Sequence, residues 1–141
     1  MYKAPDMCYK KQGAELHVPE VPSPVSMPCM GDWNIIMRHQ DDSLSFNQNW
    51  KSYKEGFGDP TGEFWIGNQV LHYITTRTQL HLRIDMWTHD NEFLFAEYGR
   101  ILVDDERKHY ALKVIDYSHG TTGTGFLLER HYGQPFRTYD R

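Results

Sequence analysis

From residue 46 to residue 57 the large apolar side chains fall at Phe46, Trp50, Tyr53 and Phe57, and these spacings of four, three and four put all four rings on one face of a helix. Ser45 or Asn47 is placed to cap its start and Gly56 to end it. A second, shorter helix is predicted over 68–74, with Val70, Leu71 and Ile74 as its inward stripe. The period then changes. Leu80, Leu82, Ile84 and Met86 alternate with His81, Arg83 and Asp85, the pattern of a half-buried strand. Thr88-His89-Asp90-Asn91 is a turn, and 93–103 returns antiparallel. Within that return Ala96 and Tyr98 share one parity and Ile101 and Val103 the other, which predicts a bulge near Gly99-Arg100. After a connection over 104–108, Tyr110, Leu112 and Val114 alternate in a third strand. Upstream, Trp33 to His39 suits a strand and Asp41-Asp42-Ser43 a turn. Strands joined by short turns, with two short helices in an early block, predict an α+β domain around a twisted, mostly antiparallel sheet.

The ends of the chain carry less pattern. Five of the seven prolines lie in residues 1–31, without helical or strand periodicity, so this stretch reads as an arm or as the remnant of an N-terminal subdomain, preceding a domain over 32–141. Eighteen of the twenty aromatics follow Met30, so the core is expected in the later part and little packing is expected of residues 1–28. Trp50, Tyr53, Trp65 and Leu82 are expected to meet in it. After Tyr117 the pattern loosens into a glycine-rich loop over 119–125, an apolar anchor Phe126-Leu127-Leu128 and an irregular segment around Phe136.

Charge narrows the function. A net charge of -4, with cations scattered singly among acids, provides no basic footprint for nucleic acid. No apolar run is long enough for a membrane span, and residues 1–6 do not open a signal-peptide core. The two cysteines, Cys8 and Cys29, are open to two readings: a bond closing a loop of about twenty residues, worth roughly 3 kcal/mol in the chain-entropy model, or a pair of free thiols.

Candidate chemistry is thin. The eight histidines show no metal-ligand spacing, and His72, His81, His89 and His109 fall in different elements. The loop from Gly120 to Gly125 lacks the lysine and the frame of a phosphate cradle. Asp41-Asp42 and Asp104-Asp105-Glu106 lie in polar turns where water is expected to keep their carboxyls ordinary. Ser118 and His119 read as mere sequence neighbours, with no nucleophile motif around any serine or cysteine. These features argue against an enzyme and assign no catalytic, metal or cofactor residue.

One segment exceeds what periodicity explains. Gly56-Phe57-Gly58-Asp59-Pro60-Thr61-Gly62-Glu63-Phe64-Trp65-Ile66-Gly67-Asn68 places four glycines and three large aromatic rings in thirteen residues. Upstream stand Trp33, Arg38, Phe46, Trp50 and Tyr53, and downstream Leu82-Arg83-Ile84-Asp85, Ala96-Glu97-Tyr98, Tyr110, Tyr117-Ser118 and Asp140. From about Trp33 to Asp140 the chain resembles the fibrinogen C-terminal domain found in fibrinogen chains, ficolins, tenascins and angiopoietins. Its signature core is Trp33, Phe46, Trp50, Tyr53, Phe57, Gly62, Phe64, Trp65, Gly67 and Asn68.

The resemblance implies a secreted, extracellular, non-enzymatic recognition module for glycans, receptors or partner protein chains, with homo-oligomers possible. It also implies that Cys29 matches a family cysteine and Cys8 its partner. In the family the segment matching Phe136, Thr138 and Asp140 leads into an acidic calcium-binding loop, a disulfide and the ligand pocket. The resemblance implies that this subdomain is lacking here, so the domain is expected to be partial and Asp140 a remnant instead of a ligand; calcium is expected only where the loop is present. An apolar surface is then expected around Phe126, Leu127 and Phe136. The rival expectation is a truncated form with no ligand of its own, acting through protein contacts.

Overall fold

The computed structural model describes residues 1–3, 15–122 and 128–141. In chain order the strands before the first helix are β1 (Tyr2–Lys3), β2 (Glu15–Leu16), β3 (Val25–Ser26), β4 (Cys29–Met30), β5 (Trp33–Asn34) and β6 (Met37–Arg38). Helix α1 (Trp50–Glu55) leads to β7 (Phe57–Gly58) and β8 (Phe64–Trp65), then to helix α2 (Asn68–Arg77). The chain continues with β9 (Leu80–Trp87), β10 (Phe93–Val103) and β11 (Leu112–Gly120). Short 3-10 turns cover Glu106–Lys108 and Leu128–His131.

The main sheet has six strands in the order β11-β10-β9-β1-β5-β4, a second has three in the order β6-β8-β7, and β2 pairs β3. The described strand pairs are antiparallel. Val70, Leu71 and Ile74 of α2 sit over Leu80 and Leu82 of β9, Ala96, Tyr98, Ile101 and Val103 of β10, and Val114 of β11, all within the buried cluster. The α+β architecture and the inward stripe of α2 follow the apolar pattern.

Several boundaries depart from that pattern for identifiable reasons. The strand expected over 33–39 is two strands in different sheets, because Ile35 and Ile36 are consecutive and both buried, which alternation does not allow. Ile35 N–H donates to Pro28 O at 2.8 Å, and Ile36 O accepts from Ile66 N–H at 3.0 Å, so the chain changes sheet between them. Helix α1 is shorter than predicted and its cap is Asn49, not Ser45 or Asn47: Asn49 Oδ1 accepts from Ser52 N–H at 2.9 Å. Before it, Asn47 N–H donates to Ser45 Oγ and Gln48 N–H to Phe46 O, local bonds that compete with a helical turn. Phe46 nevertheless reaches the ring row, 5.2 Å from Phe57.

Helix α2 runs on to Arg77, held there by Thr75 Oγ1, which accepts from Val103 N–H at 3.0 Å, and by Arg77 lying 3.7 Å over the Tyr73 ring. The predicted bulge is present: the β9–β10 register shifts between Tyr98 and Ile101. Tyr110 precedes β11, because His109 and Tyr110 both have positive φ, 51° and 48°, and form the turn.

Residues 15–28 pack more than the sequence implies. Val18 and Met27 are 5% and 2% exposed and belong to the core cluster, which the expectation of a poorly packed arm did not anticipate. Cys29 is disulfide-bonded, which sets aside the free-thiol reading for that residue; Cys8 lies outside the described residues. Phe126 and Leu127, expected to border an apolar surface, also lie outside them.

Candidate functional site

Trp50 opens α1 and is 7% exposed. Its backbone N–H donates to Asp140 Oδ1 at 2.9 Å, and its indole Nε1–H donates to Glu106 Oε1 at 2.8 Å. The ring stacks on Tyr110 at 5.7 Å and 30°, meets His109 edge-on at 5.5 Å and lies 6.1 Å from Phe136. Arg141 places its guanidinium 4.2 Å above the same indole and 3.3 Å from Glu106 Oε1. Lys54, one turn along α1, donates to Glu106 Oε2 at 2.6 Å. The indole N–H and the backbone amide of Trp50 are therefore tied to different parts of the chain, and the segment 136–141 is bound down against α1.

The charges follow from this. The Lys54 ammonium, aided by the indole N–H, holds the Glu106 carboxyl below the usual carboxylate range. Thr138 Oγ1–H donates to Asp140 Oδ1 at 2.8 Å and is the first cause of a lowered Asp140 value. Asp104 is likewise lowered, by a 2.9 Å bond from Lys113 Nζ. Water therefore does not leave Asp104 and Glu106 ordinary, as their polar turn suggested. Asp140 has a structural post as the acceptor for the first amide of α1, a role the sequence reading of a bare remnant missed.

Beside this anchor runs a groove of about 360 Å³ between the loop that leads into α1 and the segment 136–139. Phe46, Tyr53, Phe136 and Tyr139 supply its rings; Asn47, Gln48, Arg137 and Thr138 supply amide, guanidinium and hydroxyl groups. Tyr53 O–H donates to Phe46 O at 2.7 Å, fixing one wall, and Phe136 packs 5.0 Å from the Tyr53 ring. Tyr139 is 71% exposed. Such a lining offers apolar ring faces for stacking and several donors and acceptors for orientation.

The signature segment is locked from behind. Glu63, with only 1% of its side chain exposed, accepts from the backbone N–H groups of Gln40 at 2.5 Å and Asp41 at 2.7 Å through Oε1 and of Leu44 at 2.9 Å through Oε2. His39 Nδ1 lies 3.1 Å from the same Oε1. These bonds, the Asp41 amide first, hold the carboxyl far below its ordinary range. Arg38 Nη1 donates to Pro60 O and Gly62 O, and Asp59 Oδ1 accepts from Thr61 N–H and Oγ1–H, closing the turn. The one signal for Glu63 in the sequence is a lone charge in the apolar run Glu63-Phe64-Trp65-Ile66.

Of the signature residues, Trp50, Phe64, Gly67 and Asn68 are buried and Trp33, Phe46, Tyr53, Phe57, Gly62 and Trp65 half-buried. Trp33 stands apart in β5 of the main sheet; the others gather around α1 and β6-β8-β7. The expected foursome divides in the same way. Trp50 and Leu82 are buried, while Tyr53 and Trp65 are half-buried and bonded to each other, Trp65 Nε1–H donating to Tyr53 O at 3.0 Å.

Ser118 and His119 are more than neighbours, since Ser118 Oγ lies 3.2 Å from His119 Nδ1 and His119 Nε2 3.4 Å from Glu97 Oε2. The hydroxyl also donates to Glu97 O at 3.2 Å, which opposes its use as a nucleophile. Among the described residues no group of three or more His, Cys, Asp or Glu is arranged to hold a metal ion. Asp140 contributes at most two oxygens, one already accepting two bonds, against the roughly six to eight that calcium takes, so these residues do not fit a calcium site.

Residues 25–141 match the family model described as fibrinogen beta and gamma chains, C-terminal globular domain. Human ficolin-3 is 38% identical over 110 residues, covering 78% of this chain and 36% of that protein. Human angiopoietin-1 is 34% identical over 130 residues, covering 89% of this chain and 26% of its own length. The solved fibrinogen-like globe domain of human ANGPTL6 superposes with a TM-score of 0.82 at 32% identity, over 94% of this chain and 60% of that structure. The chain thus spans about a third or less of these curated relatives.

Proposed function

The chain belongs to the family of fibrinogen C-terminal globular domains, and from that premise we propose that it is an extracellular recognition module that binds a glycan or protein ligand without catalysis. The observation that carries this reading is the groove beside Trp50, two of whose rings are held in place, that of Tyr53 by its bond to Phe46 O and that of Phe136 by packing on Tyr53. Pre-positioned side chains lose little freedom when a ligand arrives, which favours binding. The bond at Cys29 supports an oxidising, extracellular setting.

Recognition in the groove needs no metal. Tyr139 and Phe136 offer ring faces to a sugar ring or an apolar side chain, and Asn47, Gln48 and Arg137 offer bonds to hydroxyl, acetamido or peptide groups. A second reading, in which the chain has no small ligand and works through protein contacts alone, is favoured by the exposure of Trp87 and Phe93. Amide chemical-shift mapping with N-acetylglucosamine and with short peptides separates them. Perturbations clustered on Phe46, Tyr53, Phe136 and Tyr139, and lost in Tyr139→Ala, support the groove; no perturbation there by either class overturns it.

A further inference from the structure

The outer face of the main sheet carries a ladder of cross-strand pairs that the groove does not use. Glu97 lies opposite Arg83 on one side and His119 on the other, Phe95 opposite Asp85, and Phe93 opposite Trp87. In the inner rungs a cation is sandwiched: the Arg83 guanidinium sits 4.6 Å over the Phe95 ring and bonds Asp85 and Glu97, each at 2.7 Å. The outer rung repeats the design with one part missing. Trp87 and Phe93 lie 5.1 Å apart and are 66% and 42% exposed, and Phe93 stacks on Phe95 at 6.2 Å. Asp90 and Glu92, in the turn joining the two strands, are exposed. Among the described residues no cation lies over these two rings and no ion pair reaches either acid.

The turn is rigid enough to present them. Thr88 N–H donates to Glu92 O at 3.0 Å, Glu92 N–H to Thr88 Oγ1 at 3.1 Å and Asn91 N–H to Thr88 O at 3.0 Å, with Asn91 at φ 59°. An indole and a phenyl ring beside two uncompensated carboxylates attract a guanidinium or ammonium group both through the ring quadrupole and through charge. A second copy of this chain would bring the same acids against each other across a symmetric contact. We propose that the outer face of the β9–β10 hairpin docks a cationic segment of a partner protein, an arginine or lysine lying over Trp87 and Phe93 as Arg83 lies over Phe95.

The test uses the 141-residue chain and a fluorescein-labelled, terminally blocked peptide of alternating arginine and serine, read by anisotropy at low and at physiological salt. The expected result is saturable binding that weakens with salt, falls about tenfold in Trp87→Ala or Phe93→Ala and falls with a flatter salt dependence in Asp90→Asn/Glu92→Gln. Phe136→Ala in the groove should leave this binding unchanged, so that failure here is distinct from failure of the groove. The proposal is overturned by equal affinity across all variants, by equal binding of the peptide with glutamate in place of arginine, or by a dimer, seen in light scattering, that Trp87→Ala dissolves.

Discussion

Glu63 and Asp140 both accept backbone amides from distant parts of the chain, and they do so from opposite positions in the sequence pattern. Glu63 gathers the amides of residues 40, 41 and 44; Asp140 takes the first amide of α1. A carboxyl whose folded value is depressed lends stability that is fully present above its unfolded value, about pH 4.3 for glutamate, and is lost as pH falls toward the folded value. Glu63, Glu106, Asp104 and Asp140 are all lowered, so their contributions add in the same direction. Melting temperature should therefore fall steadily as pH drops below about 5. Glu63→Gln should melt lower at neutral pH and show a shallower acid dependence, which thermal scans across pH will report. Glu63 was illegible because its partners are backbone amides, which every residue type supplies. Trp50 was legible because a large ring at helical spacing has few other places to go.

At the scale of elements, α1 and α2 are set by how closely two backbones pass. A Cβ on Gly56 would fall 2.6 Å from Ile66 O, and one on Gly67 2.9 Å from Lys54 O, while both residues hold positive φ of 94° and 109°. Gly56→Ala or Gly67→Ala should each destabilise by more than the roughly 1 kcal/mol of an ordinary backbone penalty, measured by denaturant unfolding. Trp50→Ala should cost about 3 to 5 kcal/mol by the same method, since it opens a cavity beside Tyr110 and strips Glu106 of its indole donor. Gly56 was readable as a helix end, and the β9–β10 hairpin with its bulge as a break of parity. The split of 33–39 into two sheets and the start of α1 at Trp50 were not, because both depend on where distant strands and local side-chain bonds compete.

Across the whole molecule, the family signature fixed the fold more fully than periodicity did, and composition misled most at the beginning of the chain. Proline-rich residues with few bulky groups looked unable to pack, yet Met27 and Val18 lie in the core. Met27→Ala should cost about 2 to 5 kcal/mol, a loss that a detached arm would not show. Peptide mapping without reductant should recover Cys8 linked to Cys29, and reduction should lower stability by roughly 3 kcal/mol in the chain-entropy model. Removing residues 1–28 should then lower the melting temperature even in reducing buffer.

We propose that recognition by this chain runs through the aromatic and amide side chains of the groove beside Trp50, with Asp140 holding α1 and not a metal. Calorimetric titration of calcium into the purified chain, alongside Asp140→Asn, tests the part given to Asp140. No saturable heat is expected in either protein. A stoichiometric site of micromolar affinity in the parent chain, abolished in Asp140→Asn, would assign Asp140 to a metal and overturn this reading.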